Sequence, residues 1–184
     1  MGKQQFGWLY QPLNRGQGVF AKPYQSFDLK RLEKSLWITE GLFLEHWEAS
    51  FESILIDSLL PKLVVCDIYL LHLTFQNISF EQFQILTAAG NVTKLNLRNS
   101  LIKDKNGDNV PLEDILETIP KIENLTLDGY TNSFVCHQNA AKKVPLSLQL
   151  LTVQQSDENF NFEGCFKFIQ VSPLFDILHT LPKK

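Results

Sequence analysis

The sequence predicts an α/β fold: a short leucine-rich-repeat-like solenoid with parallel strands and with helices on one side. Two observations predict it. An apolar-x-apolar strand motif occurs four times, and the first two copies are each followed by a polar turn and a short amphipathic helix. The repeated position, occupied by Leu73, Leu97, Leu127 and Val153, recurs after 24, 30 and 26 residues, at or close to the leucine-rich-repeat period.

The first copy is the clearest. Residues 71–75 predict a strand, and Gln76-Asn77 predict the turn that follows it. Ser79 and Gln82 have the spacing of a capping box, which predicts that a helix begins there. Gly90 lies where the chain after the helix is expected to adopt a left-handed conformation. One apolar helix face is predicted from Phe80, Phe83 and Leu86.

The second copy begins with a strand at residues 95–98 and continues through a solvated turn at 103–108. Pro111 is suited to the first turn of a helix, and Pro120 is expected to stop that helix. The acidic residues that favour the positive end of this helix are Glu113 and Asp114. The residues expected to be buried are Leu112, Ile115, Leu116 and Ile119.

The third copy predicts a strand at 125–128 with Gly129 as its turn, and the fourth predicts a strand at 150–154. A less regular stretch at 131–144 separates them. Upstream, residues 36–38 and 42–44 are candidate strands and residues 51–60 a candidate helix.

The ends of the chain are harder to interpret. Ser172-Pro173 is expected to begin a final helix over 174–181. Residues 1–27 show no periodicity, so we expect loose order there. We divide the chain into a poorly ordered or capping segment at 1–35 and a leucine-rich-repeat-like domain at 36–184, whose residues from Ser172 onward are a second candidate cap.

Alternate residues of the four strands are expected to point away from the core. They are polar and varied, as the residues of a recognition surface would be, although any strand facing water needs polar residues on that side. The candidate binding residues are His72, Thr74, Asn96, Arg98, Thr126, Asp128, Thr152 and Gln154.

Composition argues against several classes of protein. A net charge of -3 argues against a nucleic-acid-binding protein that works through a basic surface. Cys66, Cys136 and Cys165 are widely spaced and form no CxxC pair, so we expect reduced thiols and neither a disulfide framework nor a zinc site. Neither a signal peptide nor a membrane span is evident, so we expect a cytoplasmic or nuclear protein.

The residues do not predict catalysis. The four histidines, His46, His72, His137 and His179, are scattered, and the sequence contains neither a GxSxG motif nor a phosphate-binding glycine loop. Asp104, Asn106 and Asp108 surround Gly107, but the glycine and glutamate positions of a calcium loop are not matched. We therefore expect no enzyme activity, no cofactor and no metal.

Several short stretches have a recognisable pattern: Leu60-Pro61-Lys62-Leu63, Cys66-Asp67, Leu71-His72-Leu73, and residues 76–83, 92–97, 110–113 and 119–121. Through these stretches the chain resembles nematode F-box-associated proteins over about residues 35–155. In this family a divergent leucine-rich-repeat-like region follows a short F-box that docks on a ubiquitin-ligase adaptor. The resemblance implies target capture by the repeats. Residues 1–40 lack a convincing F-box, so a fragment and a relative without an F-box are both open.

These observations favour a protein-interaction module, with substrate recognition for an F-box ubiquitin ligase as its most specific form. The alternatives are a repeat protein or gene remnant without a ligase link and, least favoured, an enzyme whose site is assembled from distant residues. The partner is expected to be a protein, and the sequence does not identify it.

Overall fold

The computed structural model describes residues 4–10, 35–45, 54–129, 143–154, 163–164 and 176–180, the first and last of these through their backbone. The helices are α1 (Ile54–Leu59), α2 (Phe80–Thr87) and α3 (Leu112–Glu117), and a 3-10 turn at Leu60–Lys62 follows α1. The strands are β1 (Gln4–Tyr10), β2 (Leu36–Glu45), β3 (Leu63–Cys66), β4 (Leu70–Thr74), β5 (Asn77–Ser79), β6 (Lys94–Arg98), β7 (Leu101–Lys103), β8 (Asn124–Asp128), β9 (Leu150–Gln154) and β10 (Asp176–Thr180).

The main sheet is an open parallel sheet of eight described strands. Its order is β1-β2-β4-β6-β8-β9-β10, and β3 pairs with the first part of β2. Every strand pairing in this sheet is parallel. A second, two-stranded parallel sheet joins β5 to β7. The chain is therefore an α/β protein. These seven strands follow one another across the sheet in the same order as along the sequence.

The pairing register follows the spacing of the sequence motif. Leu73 pairs with Leu97, Leu97 with Leu127, and Leu127 with Val153. Just before these strands, the carbonyl of Tyr69 accepts hydrogen bonds from the amides of Thr93 and Lys94, and the same pattern recurs from each unit to the next. Each unit thus satisfies the backbone groups of its neighbour, which fixes the stacking of the strands.

Buried residues recur at the same positions in successive units. Each of β4, β6, β8 and β9 contributes two buried residues separated by one partly exposed residue, and a further buried residue lies three positions before the first of them. In the first unit the buried set is Ile68, Leu71, Leu73, Gln76 and Ile78, and in the second it is Val92, Leu95, Leu97, Ser100 and Ile102. The third begins with Ile122, Leu125 and Leu127, and the fourth with Leu148, Leu151 and Val153.

The helices contribute to the same hydrophobic core as the strands. Phe83 and Leu86 of α2 and Ile115 of α3 are fully buried in it, together with Leu73 and Leu97 of the sheet. Apolar burial of this kind is the main stabilising contribution to the fold. Phe83 and Leu86 of the predicted apolar face are fully buried, whereas Phe80 is partly buried. Leu112, Ile115, Leu116 and Ile119 are buried as predicted, although Ile119 lies beyond the end of α3.

The residue that directly follows each of β4, β6 and β8 has a left-handed backbone. The residues are Phe75 (φ 52), Asn99 (φ 44) and Gly129 (φ 63). Their amides donate to the carbonyls of Arg98, Asp128 and Gln154, the last residues of the neighbouring strands, at 2.9, 2.7 and 3.1 Å. A left-handed Phe is sterically unfavourable, so these inter-unit hydrogen bonds help to hold the turn in place.

The start of α2 confirms its predicted cap. The Ser79 hydroxyl accepts from the amide of Gln82, and the Gln82 side chain accepts from the amide of Ser79, which completes the capping box. Gly90 has a φ of 65°, as predicted for the residue after this helix.

At α3, Pro111 is the N-cap residue and lies just outside the helix, because its ψ of 145° is extended. The helix already ends at Glu117, before Pro120 is reached.

Other expectations are corrected. The predicted final helix at 174–181 is wrong, because residues 176–180 form β10 and pair in register with β9. The predicted loose order of residues 1–27 is wrong for residues 4–10, which form β1 on β2. Residues 36–38 and 42–44 belong to one strand, and Asn77 lies in β5. Most of the stretch at 131–144, and residues 51–53 of the predicted helix, lie outside the described residues.

Two polar residues are buried at equivalent positions of successive units. Gln76 and Ser100 are 2% and 1% exposed. The Ser100 hydroxyl accepts from the amide of Gln76 at 3.0 Å and donates to the carbonyl of Arg98 at 2.8 Å. The Gln76 side-chain amide donates to the carbonyls of Thr74 and Phe75. These bonds satisfy backbone groups at the point where the chain leaves the sheet.

We predict that Ser100→Ala lowers the free energy of unfolding by about 1–3 kcal/mol, because it leaves the buried amide of Gln76 without an acceptor. Urea denaturation followed by circular dichroism measures this loss. Ser147→Ala is the matched control: that hydroxyl is partly exposed and only donates, so water replaces it and the loss should stay below about 0.5 kcal/mol. Equal losses in the two variants would contradict the role of the Ser100 hydroxyl as acceptor for the buried amide of Gln76.

Candidate functional site

The candidate site is the outward face of the sheet, which we define as the partly or fully exposed residues of β4, β6, β8 and β9. These residues alternate along each strand with the buried ones, because successive side chains of a strand point to opposite sides. All eight candidate binding residues lie on this face. Arg98 and Gln154 are exposed, and the other six are partly buried.

The strand register arranges these eight residues in two rows across the sheet. His72, Asn96, Thr126 and Thr152 are paired in one row, and Thr74, Arg98, Asp128 and Gln154 in the other. Neighbouring parallel strands lie about 4.8 Å apart, so adjacent side chains of a row are close enough to touch.

The first row is organised around His72. The Nδ2 of Asn96 lies 3.2 Å from Nδ1 of His72, and Nε2 of His72 lies 2.8 Å from the Oγ1 of Thr74. Since the Asn96 amide nitrogen can only donate, Nδ1 accepts, and the ring proton on Nε2 is donated to Thr74. Nδ1 therefore joins His72 to Asn96 within the first row, and Nε2 joins His72 to Thr74 of the second row.

An aromatic contact continues the first row onto β2. The ring of Phe43 stacks on the ring of His72, with centroids 5.4 Å apart and planes at 24°. Phe43 is paired with His72 in the register of β2 and β4. The stack fixes the plane of the imidazole and places an apolar group at one end of the polar row.

The second row contains an ion pair. Arg98 Nε lies 3.0 Å from Asp128 Oδ2, and the two side chains are 61% and 21% exposed. An exposed pair of this kind contributes little to stability. It does hold the guanidinium beside β8, with Nε as the nitrogen nearest the carboxylate.

The sequence predicted the residues of this face but not their contacts. The stacking of Phe43 on His72 was missed. The contact between His72 and Asn96 was missed as well, although their spacing of 24 residues, the same as between Leu73 and Leu97, could have placed them side by side. Gln154 and Thr152 are placed in the rows by their backbone register.

The turn at 103–108 is stabilised by its own side chains. One carboxylate oxygen of Asp104 accepts from the amides of Asn106 and Asp108 at 2.8 and 3.0 Å. Within the described ranges, no three His, Cys, Asp or Glu side chains are grouped as they would be around a metal ion. None of the helices described by the structure is long and apolar enough to span a membrane.

Cys66 is a free thiol at the end of β3, packed against the core, and burial raises its pKa to about 12, with a further increase from the neighbouring Asp67 carboxylate. Cys136 and Cys165 lie outside the described residues. Because thiolates are the reactive form, Cys66 is unsuited to nucleophilic chemistry at neutral pH.

We predict that Cys66 of the folded protein reacts with iodoacetamide at pH 8 at least about tenfold more slowly than in urea, since an unfolded thiol has a pKa of about 8.5. The folded state keeps the proton and the unfolded state loses it, so the contribution of this group to stability falls as pH rises from about 8.5 towards 12. Mass-spectrometric mapping of the peptide that contains Cys66 follows the reaction. Equal rates in buffer and in urea would contradict the burial of this thiol.

The sequence matches no family model and no curated protein.

Proposed function

We propose that this chain is a non-enzymatic protein-interaction module of the leucine-rich-repeat-like type, which binds a protein partner through the outward face. One observation carries the proposal: two rows of polar side chains, held in place by hydrogen bonds and an ion pair, cross a sheet whose other face is buried. A surface that is ordered before binding loses less conformational entropy when a partner docks.

The repeat interpretation is supported by the spacing of buried residues. Ile68, Leu71, Leu73, Gln76 and Ile78 fall at the intervals of the pattern L-x-x-L-x-L-x-x-N/C-x-L, with a buried polar residue at the Asn/Cys position. Val92 to Ile102 repeats this spacing, with Ser100 at that position. The sheet order supports stacking of the units along one direction.

A binding role fits the chemistry of the face better than a catalytic one. His72 is the only titratable imidazole on the described strands of this face, and both of its nitrogens are engaged with Asn96 and Thr74. A general base needs a free nitrogen within reach of a substrate proton. The exposed groups, such as Arg98, are suited to contact with a partner instead.

The partner-capture test compares two variants that each add one Arg. Thr126→Arg places a bulky charge in the middle of the outward face, whereas Gln84→Arg places it on an exposed position of α2. Tagged full-length proteins are incubated with lysate, and retained proteins are quantified by mass spectrometry. We expect the same partners on wild type and Gln84→Arg, and a loss of about tenfold or more on Thr126→Arg. Equal retention by both variants, or no partner above background, would contradict the proposal.

A more specific form of the proposal is substrate recognition for an F-box ubiquitin ligase. It is supported by the resemblance of residues 35–155 to nematode F-box-associated proteins. Mixing the purified full-length chain with the F-box adaptor and separating the products by gel filtration tests it. A stable complex supports the ligase role, whereas separate elution leaves an interaction module without that link.

A further inference from the structure

The charges of the outward face are not balanced. On β4, β6, β8 and β9, the charged outward residues are Lys94, Arg98 and Asp128. Asp128 pairs with Arg98, which leaves Lys94 exposed with no carboxylate partner in the described part of the chain. The face therefore carries an excess positive charge on a chain whose net charge is -3.

The two cations lie on one strand and on the same side of it. Lys94, Asn96 and Arg98 are alternate residues of β6, so their side chains leave the same face of the sheet. A rise of about 3.3 Å per residue places the Cα atoms of Lys94 and Arg98 about 13 Å apart. An extended peptide has the same rise, so two of its residues that are separated by three others span the same distance.

The guanidinium of Arg98 is prepared for an anion. Its Nε lies 3.0 Å from Asp128 Oδ2, its backbone carbonyl accepts from the amide of Phe75 and the hydroxyl of Ser100, and its side chain is 61% exposed. Among the described residues, its two terminal nitrogens have no hydrogen-bond partner. Together they can donate two parallel hydrogen bonds to one carboxylate.

Asn96 provides a complementary group between the two cations. Its Nδ2 donates to His72, and within the described chain its Oδ1 accepts no hydrogen bond. The sequence of groups along β6 is therefore a cationic donor, an acceptor and a second cationic donor. A peptide segment with two carboxylates and an N–H group between them matches this order.

We propose that the partner of the outward face presents an extended acidic segment that lies along β6, with one carboxylate on Arg98, a second on Lys94, and an N–H group on Asn96. This inference rests on the proposed function and names the chemistry of the partner. Opposite charges at this site accelerate association and discriminate against basic partners.

The test selects random peptides displayed on phage against the immobilised full-length chain. Enriched peptides should contain two acidic residues separated by three others. A synthetic peptide of the enriched sequence should bind about ten- to a hundredfold more weakly to Arg98→Gln, the loss expected for a charged hydrogen bond. Lys94→Gln should weaken it as well, and binding to wild type should fall at high salt.

Two controls separate charge at the site from charge elsewhere. Lys105→Gln removes the same charge from an exposed turn and should leave the affinity unchanged within about twofold. Asp128→Asn keeps Arg98 while removing its carboxylate partner, so the selected peptide should bind as well as to wild type or more tightly.

The outcomes distinguish the two proposals. Enriched peptides without acidic residues, or acidic peptides indifferent to Arg98→Gln, would overturn the acidic partner and leave the interaction module standing. No enrichment over bare support would overturn both. Tighter binding of a single-stranded DNA oligonucleotide, with the same dependence on Lys94 and Arg98, would also overturn the acidic peptide and indicate a nucleic acid.

Discussion

Phe83→Ala is expected to lower the free energy of unfolding by about 3–5 kcal/mol. Phe83 is fully buried on α2, in the same core as Leu73 and Leu97 of the sheet. Truncation removes the ring from this core and leaves a cavity that neighbouring units can fill only in part. Urea denaturation monitored by circular dichroism measures the loss. A midpoint that shifts without a change in slope would show that the fold itself is retained.

Ile85→Ala on the same helix is the control for this substitution. Ile85 is 46% exposed, so the change should cost less than about 1 kcal/mol. Both substitutions put Ala at interior positions of α2, which raises helix propensity slightly in each case. The difference between the variants therefore reports burial. Similar losses for Phe83→Ala and Ile85→Ala would mean that α2 does not pack on the sheet as described.

Leu127→Ala is expected to lower the free energy of unfolding by about 2–5 kcal/mol. Leu127 is fully buried in β8 and is paired with Leu97 on one side and Val153 on the other. Its loss weakens the contacts of β8 with both of its neighbours in the sheet, β6 and β9. Thermal and urea unfolding should both register the change.

Thr126→Ala tests the alternation of the two faces of the same strand. Thr126 is partly exposed on the outward face, so the substitution should change the free energy of unfolding by no more than about 0.5 kcal/mol. If Thr126→Ala proved as costly as Leu127→Ala, the assignment of inward and outward residues in β8 would be wrong. A shift of register by one residue would produce that result, because it exchanges the two faces.

The core of the fold could be predicted because it depends on local patterns. The strands at 71–73, 95–97, 125–127 and 150–153 follow from alternating apolar residues, and α2 follows from its capping box and apolar face. The buried positions of α3 also follow from their spacing.

The ends of the sheet could not be predicted in the same way. Phe6, Trp8 and Tyr10 alternate as in a strand, but this short signal was missed, and the strand is defined by backbone pairing to β2. Residues 174–181 follow Pro173 and carry apolar residues at intervals that favour a helix, but pairing of residues 176–180 with β9 produces a strand. Tertiary pairing outweighs local preference in such segments.

The outward face was predicted as a list of residues, without its internal contacts. The bond between Asn96 and His72 and the ion pair between Arg98 and Asp128 join residues 24 and 30 positions apart. Such contacts depend on the strand register and on side-chain direction together. The stacking of Phe43 also required the full extent of β2, which the sequence divides into two apolar groups.

Hydroxyl-radical footprinting of the full-length chain, alone and saturated with a captured partner, shows whether a protein partner docks on the outward face, because oxidation of each side chain reports its own exposure. Docking there should reduce oxidation of His72 and of Phe43, which stacks on it, and leave Ile85 of α2 unchanged. Protection of Ile85 with Phe43 and His72 still oxidised would place the binding surface on the helices instead.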